Sequence, residues 1–247
     1  MTLEAFFCSN PRVALAFSGG VDSSYLLYAA LKYGAEVRAY YVKSAFQPQF
    51  ELEDAQRLAR QLGADMTLLS VDVTQYDTVM QNPPDRCYHC KKVIFREILQ
   101  AAHRDGFHVI LDGTNASDDA SDRPGMQALA EMEVRSPLRE CGLDKETIRR
   151  ISREAGLFTW DKPAYACLAT RTPTGERITT EKLERTEKAE GFLQELGLRD
   201  FRVRSVGDMA KLQVRERDLD TVMKNRAVIL KELKRYYQSV VVDLEER

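Results

Sequence analysis

Val13-Ala14-Leu15-Ala16-Phe17-Ser18-Gly19-Gly20-Val21-Asp22-Ser23 is the stretch on which the fold turns. Its first five residues form a short apolar run of the kind that makes a buried strand. A Ser-Gly-Gly turn follows and opens a predicted helix over 22–33, with Tyr25, Leu26 and Ala29 on one face and Gly34 at its end. Two adjacent glycines permit positive φ and let the backbone approach a ligand closely. Their N–H groups, with those of the helix start, make an anion site. Ser18 and Ser23 add hydroxyl donors. Asp22 beside phosphates requires a cation between them, and Mg²⁺ is the natural one. The loop lacks the Gly-Lys-Ser/Thr of common ATPases and the Gly-x-Gly-x-x-Gly of dinucleotide sites.

Outward from this loop the same alternation continues. Strands are expected over 37–42, 66–71 and 109–111. Helices are expected over 51–62, closed by Gly63, and over 87–102, with Val93, Ile94, Ile98 and Leu99 as the apolar side. Strands alternating with helices predict an α/β fold with a parallel sheet covered on both faces. Ligands of such sheets lie at the C-terminal ends of the strands. The loop after Phe17 and Asp112-Gly113-Thr114-Asn115 both fall there. The pattern changes after about residue 175. A charged helix over 179–196, strands over 201–206 and 210–214 joined at Gly207-Asp208, a helix over 222–236 and a strand over 239–244 read as a small α+β unit with an antiparallel sheet. The expected division is therefore 1–175 and 176–247, with helices and loops over 116–175 bridging the two.

The 247 residues carry a formal net charge of −2, which argues against a nucleic-acid coat or a polyanion binder. No apolar run approaches the roughly 20 residues that cross a bilayer, and residues 1–10 lack a basic start followed by an apolar stretch. A cytoplasmic enzyme is expected. There the five cysteines would be reduced.

Cys87-Tyr88-His89-Cys90 has metal-ligand spacing at the start of a helix. Backbone N–H groups there favour thiolates, as do Arg86, Lys91 and Lys92. Cys167 lies in Ala164-Tyr165-Ala166-Cys167-Leu168-Ala169-Thr170-Arg171. Cys8 and Cys141 have no such company and read as incidental or packed thiols. For Cys87, Cys90 and Cys167 three chemistries compete. One is a [4Fe–4S] cluster on three thiolates with one iron open. Another is Zn²⁺ with His89 or Cys141 as fourth ligand. The third is redox chemistry in which Cys87 and Cys90 form a transient disulfide and Cys167 carries sulfur. Simple packing of Cys87 and Cys90 on their helix is the bland alternative.

Ser-Gly-Gly-hydrophobic-Asp-Ser resembles the PP-loop signature of the N-type ATP pyrophosphatases, which adenylate an oxygen of their substrate and release pyrophosphate. Over nearly its whole length the sequence is similar to the LarE family, the ATP-dependent sulfur transferases of nickel-pincer nucleotide synthesis. The resemblance rests on Ser18 to Ser23, Asp85-Arg86-Cys87-Tyr88-His89-Cys90-Lys91-Lys92, Leu111-Asp112-Gly113-Thr114-Asn115, Arg123-Pro124-Gly125, Cys167-Leu168-Ala169-Thr170-Arg171 with Pro173 and Gly175, and Phe201-Arg202-Val203-Arg204. Thr170 stands where the family commonly has serine.

The resemblance implies ATP and Mg²⁺ at Ser18, Gly19, Gly20, Asp22, Ser23, Gly113 and Thr114. It implies a pyridinium dicarboxylate mononucleotide as substrate, whose carboxylates become thiocarboxylates. Its phosphate would meet Arg202 and Arg204, which alternate on a strand and so share a face, and whose forks suit phosphate. Some members sacrifice the sulfur of one cysteine and end with dehydroalanine. Others hold an iron–sulfur cluster on three cysteines and use external sulfide. Cys87, Cys90 and Cys167 place this sequence with the second kind. Cys167, Arg171 and Asp22 are the implied catalytic residues, Glu190 matches a metal-binding carboxylate, and self-association is implied. A PP-loop tRNA thiolase and an ammonia-using amide synthetase are the competing enzyme classes, and a nucleotide-sensing or metal-storage protein is the non-enzymatic one.

Overall fold

The computed structural model describes residues 1–118 and 124–245. These form two compact units, one of residues 1–73 and 85–165, the other of residues 74–84 and 166–247.

The first unit opens with α1 (Leu3–Ser9), capped where Thr2 accepts the Ala5 N–H, and β1 (Arg12–Ala16). Next come α2 (Val21–Lys32), β2 (Glu36–Lys43), α3 (Gln49–Leu62) and β3 (Asp65–Ser70). The chain then enters the second unit for α4 (Asp77–Met80) and returns with α5 (Arg86–Arg104) and β4 (Ile110–Leu111). After these come α6 (Pro124–Glu131), α7 (Pro137–Glu140) and α8 (Lys145–Glu154), the last capped by Asp144 on the Thr147 N–H. The strands form a parallel sheet in the order β3-β2-β1-β4, in register from Arg12 opposite Glu36 to Ala16 opposite Tyr40. Val13, Ala14 and Leu15 are fully buried at its centre, because a strand covered on both faces has no solvent side. Cys141 packs against this same core, and burial pushes its thiol pKa up. Tyr33 caps α2, and Gly63 caps α3 in the left-handed conformation at φ 62°, as the glycine-terminated patterns predict. Arg123, one of the family-like residues, lies outside the described residues.

In the second unit, a 3-10 turn over Leu168–Arg171 leads toward α9 (Thr180–Glu195), then β5 (Arg202–Val206), β6 (Met209–Gln213), α10 (Leu219–Lys224), α11 (Arg226–Leu233) and β7 (Ser239–Val242). β5 and β6 pair antiparallel through the tight turn at Gly207. β6 and β7 pair parallel, so the small sheet is mixed where a purely antiparallel one was expected. The reason is the helical connection between β6 and β7, which returns the chain to the end where β6 began. The single helix expected over 222–236 is broken at Asn225, whose side-chain amide donates to the Thr221 carbonyl at 2.9 Å and competes with helix continuation. The compact units also divide elsewhere than at residue 175. The Cys167 segment belongs to the second unit, with residues 74–84. Asn82 holds it there, donating to the carbonyls of Thr172, Pro173 and Glu176 at 3.2, 2.7 and 3.2 Å. No helix among the described residues is long and apolar enough to cross a membrane.

Candidate active site

The loop between β1 and α2 is built by its own side chains. The Ser18 and Ser23 hydroxyls lie 3.0 Å apart. Ser23 Oγ accepts the Ser18 N–H at 3.3 Å, and Ser18 Oγ accepts the Gly20 N–H at 3.3 Å. Gly19 adopts φ 70°, and a Cβ there would lie 3.0 Å from the Ala55 Cβ of α3. Both facts demand glycine. Gly20 caps α2 without a side chain, so the first N–H groups of that helix receive no side-chain cap from it and suit an anion.

The second loop packs directly on the first. A Cβ on Gly113 would lie 2.9 Å from the Ser23 backbone N, so only glycine permits this approach. Asp112 is buried and accepts from Thr114 Oγ1 and from Ser136 Oγ, the latter at 2.6 Å. Thr114 therefore uses its hydroxyl proton inside the loop. Asn115, also buried, donates from Nδ2 to Asp22 Oδ1 at 3.3 Å.

Two lysines that the sequence reading did not single out complete this region. Lys145, first residue of α8, places Nζ 2.5 Å from Asp22 Oδ2. Lys162 Nζ lies 3.5 Å from the Gly19 carbonyl, 2.8 Å from Asp54 Oδ2 and 4.0 Å from Glu51 Oε1. Lys162 thereby ties the glycine loop to α3. One sequence signal for Lys145 existed: a cation directly after an Asp N-cap opposes the helix dipole, which argues for an anionic partner from elsewhere.

Cys87 and Cys90 lie near the start of α5, the former exposed and the latter half-buried. Arg86 Nη2 approaches Cys87 Sγ at 3.9 Å. His89 is hydrogen-bonded to Asp85 Oδ2 at 3.1 Å. The helix is pinned to α6 by Glu131, which accepts from Tyr88 Oη at 2.8 Å and from Lys92 at 2.6 Å. Those hydrogen bonds, with one from Gln127, pull the Glu131 pKa down to about 2.

In the second unit, half-buried Cys167 precedes the 3-10 turn. The Thr170 hydroxyl donates to the Cys167 carbonyl at 2.9 Å. Arg171 is buried beneath this turn. Its Nη1 donates to the Ala166 carbonyl and to Thr170 Oγ1, both at near 2.9 Å. Nε and Nη2 donate to the two carboxylate oxygens of Glu190 at 2.8 and 2.9 Å. Glu190 also accepts the Val203 N–H of β5 at 2.9 Å. Arg204 donates to the Thr170 carbonyl and to Gln213 Oε1. Burial, and then the charge of Arg171, lower its pKa from the ordinary guanidinium value. Arg202 is buried and donates to the Phe201 carbonyl at 2.7 Å.

The three thiols differ in placement: two open one helix in the first unit, and one lies in the second. As donors they suit iron or zinc. Within neither unit do three described His, Cys, Asp or Glu side chains gather as a metal-ion ligand set.

Comparison with known proteins agrees with the glycine-loop fold. A family model described as Asparagine synthase matches residues 7–120. An uncharacterized protein of Synechocystis sp. is 36% identical over 98% of this chain and 92% of its own. The tRNA-specific 2-thiouridylase MnmA of a Thermotoga species is 28% identical, over 61% of this chain and 54% of its own. The pyridinium-3,5-bisthiocarboxylic acid mononucleotide synthase of Lactiplantibacillus plantarum is 33% identical over 87% of this chain and 79% of its own. With that identity over most of both chains, the chain belongs to the LarE family of ATP-using sulfur transferases.

Proposed function

We propose that this protein adenylates the carboxylates of a pyridinium dicarboxylate mononucleotide and replaces a carboxylate oxygen with sulfur. The observation that carries the reading is the 33% identity with the Lactiplantibacillus synthase over most of both chains. The packed pair of loops at Ser18–Ser23 and Gly113 supports it.

A carboxylate is a poor electrophile, and adenylation supplies the leaving group. A substrate carboxylate oxygen attacks the α-phosphorus of ATP, the bond to the β-phosphate oxygen breaks, and pyrophosphate departs. Ser18, Gly19, Gly20 and Ser23 donate to the phosphates as that negative charge develops. Gly113 lets the second loop pack against the first, and Thr114 ties that loop to Asp112 beside the nucleotide. Asp22 would hold Mg²⁺, which would supply positive charge beside the phosphates. A sulfur nucleophile then attacks the acyl carbon, and AMP leaves. If Cys167 supplies the sulfur, a thioester forms, and β-elimination, in which a base takes the Cys167 Cα proton as the Cβ–S bond breaks, leaves thiocarboxylate and dehydroalanine.

Cys87, Cys90 and Cys167 are assigned to a [4Fe–4S] cluster, whose chemistry when bound is to carry sulfide from a donor. Arg202 and Arg204 are assigned to the substrate phosphate. Arg171 steadies the Cys167 turn, with Glu190 as its counter-ion. Binding of a metal by Glu190 requires that ion pair to open. Residues 176–247 are assigned to substrate binding and self-association, and the enzyme to the cytoplasm.

Iron and acid-labile sulfide analysis of anaerobically purified protein, with Cys90→Ser as control, tests the cluster. Iron-free protein with full activity and dehydroalanine at position 167 would replace the cluster with the sacrificial route. Salt-dependent tRNA binding with thiolation of tRNA would replace the substrate assignment altogether.

A further inference from the structure

β5 and β6 alternate as strands with one buried face do. Val203, Ala210 and Leu212 are buried, which turns Arg204, Lys211 and Gln213 to the other face. There Arg204 Nε donates to Gln213 Oε1 at 2.8 Å, and Nη1 donates to the Thr170 carbonyl in the turn after Cys167. Gln213 is itself held. Its Nε2 donates to Asp243 Oδ2 at 2.8 Å, and Lys211 Nζ lies 2.7 Å from the same oxygen. Arg204 is half-buried, and both of these acceptors are neutral oxygens. Burial, and then the charge of Arg171, lower its pKa, while Arg171 spends its own fork on Glu190. A half-buried guanidinium whose hydrogen-bond partners are uncharged suits an anion.

A guanidinium grips phosphate through two parallel N–H groups, and its planar frame offers two such edges: Nε with Nη2, and Nη1 with Nη2. Gln213 closes the first edge. A two-pronged phosphate contact is thereby directed to the second, whose Nη1 reaches Thr170. A phosphate oxyanion is the stronger acceptor there, since a charge-assisted hydrogen bond is roughly twice as strong as a neutral one. Thr170 in turn is tied to the thiol residue: its N–H and its hydroxyl donate to the Cys167 carbonyl at 3.0 and 2.9 Å. We propose that Gln213 is a positioning residue for Cys167, acting through Arg204: it closes the Nε edge, so that the substrate phosphate draws Nη1 away from the Thr170 carbonyl and frees the Cys167 turn. This rests on the assignment of Arg204 to the substrate phosphate above. It goes further in linking that phosphate to the sulfur end of the reaction, so that Cys167 is mobilised when substrate is in place. No covalent bond forms or breaks in the exchange, and the guanidinium keeps its protons.

The test is backbone hydrogen–deuterium exchange over residues 167–172, read by mass spectrometry on the full chain. The probes are pyridinium-3-carboxylate mononucleotide and the matching nucleoside, which lacks the phosphate. The mononucleotide should speed exchange of this segment by about 10-fold or more, the size of one lost charge-assisted hydrogen bond, and the nucleoside should not. Simple cover by a ligand would slow exchange, so the direction separates the two. Gln213→Met opens the Nε edge, and it should bind the mononucleotide without the rise. Gln213→Glu combined with Asp243→Asn keeps an acceptor for Nε and a donor behind it, and it should restore the rise. No rise in wild type saturated with mononucleotide overturns the proposal, as does a rise that persists in Gln213→Met. Calorimetry on Arg204→Met, or on Arg204→Lys if the former does not fold, tells which part has failed. Weaker mononucleotide binding there, with no rise in wild type, keeps the phosphate assignment and overturns the coupling alone. Binding equal to wild type overturns the phosphate assignment and the proposal with it.

Discussion

Arg171 and Glu190 form a two-pronged ion pair, 2.8 and 2.9 Å across, in which both side chains are almost wholly buried. The remaining prong of the guanidinium holds the Cys167 turn, and the carboxylate also holds the Val203 N–H. Removing one partner strands the other charge out of water, which costs about 3–5 kcal/mol. Glu190→Gln and Arg171→Met should each lose stability of this order in urea unfolding. Arg171→Lys keeps the charge and loses the fork. It should loosen the turn, and faster alkylation of Cys167 in the folded protein would report it. An unchanged alkylation rate would mean that the turn is held by other contacts.

The two halves of the reaction should separate by mutation. Cys167→Ser leaves the glycine loop intact, so ATP–pyrophosphate exchange in the presence of substrate should persist while thiocarboxylate formation stops. Loss of both activities in folded Cys167→Ser protein would instead implicate Cys167 in activation.

Gly113→Ala tests how tightly the two loops must pack. Its added methyl meets the Ser23 backbone N at 2.9 Å, where backbone has to give way. Overpacking of this kind costs about 1–3 kcal/mol. The variant should melt at lower temperature and bind ATP more weakly. Gly34→Ala serves as a control: its Cβ meets no neighbouring atom, although the positive φ still carries strain.

The contact between α5 and α6 should depend on pH. Hydrogen bonds from Lys92, Tyr88 and Gln127 pull the Glu131 pKa from its ordinary 4.5 down to about 2. A carboxyl whose folded pKa is depressed contributes stability that is present above its unfolded pKa. That contribution is lost as pH falls through the folded value, here between roughly 4.5 and 2. Glu131→Gln should therefore melt below wild type at pH 7, with the gap closing as pH approaches 2. A gap that is constant across this range would assign the effect to packing.

The glycine loop, the parallel sheet and the Cys-x-x-Cys helix start were legible in the sequence because each is local. A short apolar run, two glycines beside a helix start and a glycine-closed amphipathic stretch declare themselves within a dozen residues. Tertiary structure alone decided which long-range partners those residues meet. Lys145 reaches Asp22 across 123 positions of chain. Arg171, implied by the resemblance as a catalytic residue, commits its donors to Glu190 and to the turn after Cys167. The parallel pairing of β7 was equally hidden, since apolar alternation specifies a strand's faces and says nothing of its direction. Side-chain chemistry is written along the chain, but the partner that satisfies a buried charge is chosen by packing.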